Sequence, residues 1–123
     1  MDLNAFNPRE RQALLDIFVL GMYADGHLAS AEDAQARRLL AAMGHETLDD
    51  RNRELDAAIT RVSRHAPGPS VARPYLISLA AVFRNARQRA DVYSLLAELM
   101  HSDNELAAAE DRFLTTVREV FAP

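Results

Sequence analysis

Met22-Tyr23-Ala24-Asp25-Gly26-His27-Leu28-Ala29-Ser30-Ala31-Glu32-Asp33 returns as Met100-His101-Ser102-Asp103-Asn104-Glu105-Leu106-Ala107-Ala108-Ala109-Glu110-Asp111. Every matched residue recurs at the same offset, from Asp25 to Asp103 and from Glu32 to Glu110, which is 78 positions. Two acids recurring at identical spacing inside one apolar frame imply a duplicated unit. Leu14, Leu15, Phe18, Val19 and Met22 precede the first copy at helical spacing. Val92, Leu95, Leu96 and Leu99 precede the second in the same way. The unit therefore reads as helix, acidic loop, helix, used twice.

The flanking residues extend this reading to an all-α bundle of about six helices with a pseudo-two-fold repeat. Asn7, Pro8 and Glu10 open the first helix as cap, first-turn residue and capping-box partner. Gly26 is placed to stop it. The second helix starts near Ser30, runs along Ala36, Leu39, Leu40 and Met43, and ends at Gly44. The third spans about Thr47 to Arg64 and buries Leu55, Ala58, Ile59 and Val62. His65-Ala66-Pro67-Gly68-Pro69-Ser70 reads as a hinge between two halves. Leu76, Leu79, Ala80 and Phe83 mark the fourth helix, and Arg84 to Arg89 read as a polar bend or helix junction. The second repeat supplies the fifth helix, and Phe113, Val117, Val120 and Phe121 mark the sixth. No stretch alternates as a strand would.

At 123 residues, with 49% hydrophobic and 26% charged side chains, the chain is expected to be a single domain with a real core, residues 1-123. The absence of cysteine excludes disulfides, thiolate metal sites and a cysteine nucleophile. No apolar run approaches the roughly 20 residues of a membrane span. Met1-Asp2-Leu3-Asn4 does not open a signal peptide, so a cytoplasmic location is expected. A net charge of −4 argues against nucleic acid as the main partner. Every basic residue is Arg, and Arg51, Arg53, Arg61, Arg64, Arg73, Arg84, Arg87 and Arg89 crowd the middle. The all-Arg composition reads as a genomic bias. The crowded segment reads first as a solvated face, and otherwise as a surface for an acidic partner or lipid headgroups. The partner expected for the chain as a whole is another protein.

The loops offer two ligand sets at positions i, i+2 and i+7: Asp25, His27 and Glu32, then Asp103, Glu105 and Glu110. Oxygen ligands suit calcium or magnesium, and His27 would admit manganese or zinc. This is not an EF-hand, whose bidentate Glu comes about eleven positions after its first Asp. One loop alone is short of ligands, so a cation would need both loops together. The alternative is purely structural. Asp25-Gly26 and Asp103-Asn104 are turn pairs, and Glu32 and Glu110 complement helix dipoles. His45 and His65 read as solvated helix-terminus residues and Met22 and Met100 as core; His101 or Tyr23 bordering the acidic pocket is the less favoured reading. No Gly-rich phosphate loop, nucleophile elbow or catalytic triad stands out, which points away from an enzyme.

Ala24-Asp25-Gly26 followed by Glu32, with Ser102-Asp103-Asn104 followed by Glu110, resembles the signature of the TerB-like family. That family includes tellurite-resistance proteins and the N-terminal domain of a membrane co-chaperone. The resemblance runs from about Leu14 to Phe121. It implies an all-α fold with a pseudo-repeat, an acidic patch on Asp25, Glu32, Asp103 and Glu110, divalent-cation binding in some members, and a link to tellurite or general stress resistance. Asn104 departs from the family's usual Gly, and Lys is absent throughout. The J-domain and membrane segment of the co-chaperone have no counterpart, so no chaperone-recruiting role carries over. Two functions are expected from this reading: a non-enzymatic protein binding a divalent cation, or a protein–protein interaction module with solvated acidic loops and no metal.

Overall fold

The computed structural model describes residues 6–23, 30–45, 47–65, 73–100 and 108–121. They form six α-helices and, among the described residues, no strand: α1 Pro8–Tyr23, α2 Ser30–Ala42, α3 Leu48–His65, α4 Arg73–Ala80, α5 Ala86–Met100 and α6 Ala108–Phe121. None is long and apolar enough to cross a membrane.

The stripe residues of the sequence do the packing. Leu39, Leu40 and Met43 of α2, Leu55, Ala58 and Val62 of α3, and Leu76 and Leu79 of α4 are buried. They join Val92 and Leu96 of α5 and Phe113, Val117 and Phe121 of α6 in one core that draws on every helix. At its centre lies α1, which packs against α2, α3, α4 and α6. Ala13 to Gly21 are buried without interruption. An α-helix turns all its sides within two turns, so such a run means a helix covered all round. Phe83 closes one end of the core. Its ring meets Phe6 edge-on at 5.8 Å and Phe121 at 6.3 Å, joining the start of the described chain to its last helix.

The duplication reaches further back than the quoted stretch. The helices of the two units begin at Pro8 and Ala86, then at Ser30 and Ala108, each pair separated by the offset of the repeat. Asn7 and Glu10 form a reciprocal capping box, with each side chain accepting the other's backbone N–H at 2.8 Å. Asn85 caps α5 in the same manner, accepting the N–H of Gln88 at 2.8 Å. The stretch from Arg84 to Arg89 is thus not a bend throughout. Only Arg84 and Asn85 lie outside the helix, and Ala86 onward is its first turn.

The two copies share a register but not an environment. α5 carries Asp91, Ser94 and Glu98 on faces where α1 has Ala13, Asp16 and Leu20. Ser94 and Glu98 are exposed, and among the described side chains of α5 burial narrows to Val92 and Leu96. The first unit therefore supplies the central helix and the second a peripheral one.

Candidate metal centre

Four of the six acidic-loop residues, Asp25, His27, Asp103 and Glu105, lie outside the described residues. Glu32 and Glu110 occupy the third positions of α2 and α6, with their side chains outside the described set. Whether those carboxylates converge on one point likewise falls outside it.

A cation-type ligand set does occur at the turn between α2 and α3. Gly44 has φ 101°, a left-handed conformation that suits glycine. The His45 N–H bonds Leu40 O at 3.1 Å and the Gly44 N–H bonds Ala41 O at 3.1 Å, the paired bonds of a Schellman stop. Two residues later Thr47 caps α3, its Oγ1 accepting the Asp50 N–H at 3.1 Å. This tight reversal brings His45 Nδ1 to 2.7 Å from Asp50 Oδ2. Arg51 Nε donates to His45 O at 2.7 Å and holds the backbone that carries the ring.

Glu54 lies one helical turn beyond Asp50 and so shares its face of α3. His45, Asp50 and Glu54 each offer a ligand atom, and the three atoms lie within 4.8 Å of one another. All three residues are half-buried. His45 and Glu54 line a cleft of about 270 Å³ with Arg11 and Gln12, above Leu15, Leu40 and Met43. One imidazole and two carboxylates suit zinc or manganese better than calcium, which takes at least six oxygens. Donors sharing one zinc at bond lengths near 2.1 Å sit roughly 3.5 Å apart. A pair at the 4.8 Å limit would close by about 1.3 Å and the 2.7 Å contact of His45 with Asp50 would open, movements that half-exposed side chains can make. Arg53 Nη1 stands 3.9 Å from the other Asp50 oxygen and would compete weakly with a bound ion.

His45 is thus not the solvated terminus residue that its position after Gly44 suggested. Sequence reading missed the triad because its members sit at i, i+5 and i+9 across a turn. The signal that was present is the closeness of a helix-stopping Gly44 to a helix-capping Thr47, which forces α2 and α3 into a hairpin.

A second polar group lies deep in the bundle. Asp16 of α1 is 2% exposed. The Arg61 guanidinium of α3 grips it as a fork, Nη2 to Oδ1 at 2.8 Å and Nε to Oδ2 at 2.9 Å. Tyr75 of α4 brings its hydroxyl to 3.5 Å from the same carboxylate. The His65 ring stacks on Tyr75 at 4.4 Å, so His65 is exposed but has a packing role. Burial pushes the Asp16 carboxyl above its usual range against the pull of Arg61. The Asp16 hydrogen bond holds Arg61 firmly protonated, and burial pushes the Tyr75 hydroxyl up to about 12. The arrangement pins α1, α3 and α4 together. It presents no nucleophile paired with a base.

The crowded arginines divide by role. Arg61 holds Asp16, and Arg73 pairs with Glu119 at 3.1 Å across an exposed surface. Arg89 donates from Nε to Phe83 O at 2.8 Å and from Nη1 to Phe121 O at 3.4 Å, so it belongs to the fold. Arg84 and Arg87 are exposed and make no hydrogen bond or ion pair with a described residue. Compared with protein-family models, with curated proteins and with solved structures, the chain matches none.

Proposed function

We propose that this chain is a non-enzymatic TerB-like protein that binds a divalent cation of the zinc or manganese class, with stress or tellurite resistance as its setting. The observation that carries the cation reading is the convergence of His45, Asp50 and Glu54 donors within 4.8 Å on a turn built by two helix caps. The TerB-like reading rests on the repeated Asp and Glu spacing. It is supported by two helix pairs that begin in register, which keep the loops of residues 24–29 and 101–107 in equivalent places of the chain. The non-enzymatic reading rests on the residue inventory.

Calorimetric titration of zinc, manganese, calcium and magnesium into three proteins tests it: wild type, His45→Ala/Glu54→Gln, and Asp25→Asn/Asp103→Asn. The expected result is saturable zinc or manganese binding by wild type, lost in the His45/Glu54 variant. Any loss in the Asp25/Asp103 variant measures what the acidic loops contribute. Heats no larger than dilution for all four cations with wild type would sink the proposal.

A further inference from the structure

The first turns of α1 and α5 meet. Gln88 Nε2 donates to Glu10 Oε2 at 2.8 Å, and these two residues are the repeat's own counterparts, each the third residue of its helix. Beside this contact lies a cleft of about 440 Å³ whose lining includes Asn7, Arg9, Glu10, Arg84, Asn85 and Gln88. That volume suits a small metabolite.

Hydrogen-bond bookkeeping sets its preference. Most side-chain acceptors are engaged: Glu10 takes the Asn7 N–H on Oε1 and Gln88 Nε2 on Oε2, and the side-chain oxygens of Asn7 and Asn85 each take a helix N–H, which leaves the Gln88 carboxamide oxygen. The charged donors are not engaged. Arg9 and Arg84 are exposed and make no hydrogen bond or ion pair with a described residue. The carboxamide N–H groups of Asn7 and Asn85 are donors as well. The helix ends do not carry the argument, because the N–H of the third residue in each is already capped. What remains is a cleft with two guanidiniums that bond no described residue, spare amide donors, the Gln88 carboxamide oxygen and one acid already hydrogen-bonded through both oxygens. A guanidinium presents a planar fork that matches tetrahedral oxyanions.

We propose that this cleft binds a small phosphate dianion, free or as a phosphomonoester, between Arg9 and Arg84. The binding is independent of any cation at the α2–α3 turn.

Amide chemical-shift titration of the full chain tests this, with inorganic phosphate, phenyl phosphate and benzoate added at constant ionic strength. The expected result is saturable shifts at Arg9, Glu10 and Gln88 with one or both phosphates, and affinity at least tenfold weaker in Arg9→Gln/Arg84→Gln. Tighter binding of phenyl phosphate would identify a phosphomonoester, and tighter binding of phosphate the free ion. Arg64→Gln, an exposed arginine elsewhere, should bind as wild type does. Linear, unsaturable shifts would overturn the proposal. So would equal binding of benzoate, or equal weakening by Arg64→Gln.

Discussion

Asp16 shows how one residue can be indispensable alone and replaceable in company. Its carboxylate is buried, and removing it would leave the Arg61 guanidinium, 29% exposed, without its partner. Breaking a buried pair by removing one member costs about 3–5 kcal/mol. Partial exposure of Arg61 puts Asp16→Ala near the lower end, at roughly 3 kcal/mol. The raised carboxyl pKa means that burial outweighs the attraction of Arg61. The Asp16→Leu/Arg61→Leu double variant should therefore unfold at the same denaturant concentration as wild type or a higher one. The pH dependence has a definite sign. A carboxyl pKa raised on folding binds more protons in the native state, so its contribution is fully present below the free carboxyl's ordinary value of 3.8 and lost as pH rises through the folded value. Denaturant titrations should show wild type losing stability relative to the double variant as pH climbs above 3.8. A difference growing the other way would mean that Arg61 dominates. None of this was legible in the sequence. Asp16 sits in an apolar run, and its partner lies 45 residues away with nothing to mark it.

At the scale of elements, legibility followed the local signal. α1, α3 and α6 announce themselves by apolar spacing over several turns. α5 was partly hidden because its first turn, Ala86-Arg87-Gln88-Arg89, is mostly polar and long-armed, so the apolar stripe begins only at Val92. The missed evidence was Asn85, which stands to Gln88 as Asn7 stands to Glu10. Both caps satisfy helix N–H groups, and a cap of this kind contributes about 1 kcal/mol. Asn85→Ala and Asn7→Ala should each lower stability by about that amount in chemical denaturation. The consequences should differ in place. α5 is peripheral, so Asn85→Ala should speed hydrogen exchange mainly in the first turn of α5. α1 is buried on all sides from Ala13 to Gly21, so Asn7→Ala should be felt through global unfolding. Exchange accelerating equally throughout the chain in both variants would count against this division. The cluster of His45, Asp50 and Glu54 was illegible for a related reason. Apolar periodicity describes helices one at a time, whereas His45, Asp50 and Glu54 depend on how two helices reverse between Gly44 and Thr47.

For the whole molecule, the duplicated sequence and the single core pull in different directions. A repeat with a Pro-Gly-Pro break near its middle suggests two halves that fold separately. The packing opposes that. α1 belongs to the first half, yet it packs against α4 and α6 of the second as well as against α2 and α3. Phe83 bridges Phe6 and Phe121 across the same divide. Cutting between the halves would strip α1 of the cover that its apolar residues and its buried Asp16 need in water. Exposed apolar surface is unfavourable by about 25 cal/mol per Å². Fully buried side chains such as Ile17, Phe18 and Leu20 would then be at risk of exposure. The second half would lose the α1 surface that α4 and α6 pack on. Fragments 1–65 and 73–123 should accordingly be largely unfolded when made separately, as read by far-ultraviolet circular dichroism. The intact chain should melt in one transition, with circular dichroism and tyrosine fluorescence superimposing, since Tyr75 and Tyr93 both pack against the shared core. Two resolved transitions, or a first-half fragment that melts cooperatively alone, would show that the repeat still behaves as two folding units. In that event the contact between Glu10 and Gln88 would be a docking contact between preformed bodies. With a single transition, the same contact forms only as part of the common core, and the cleft beside it exists only in the fully folded chain.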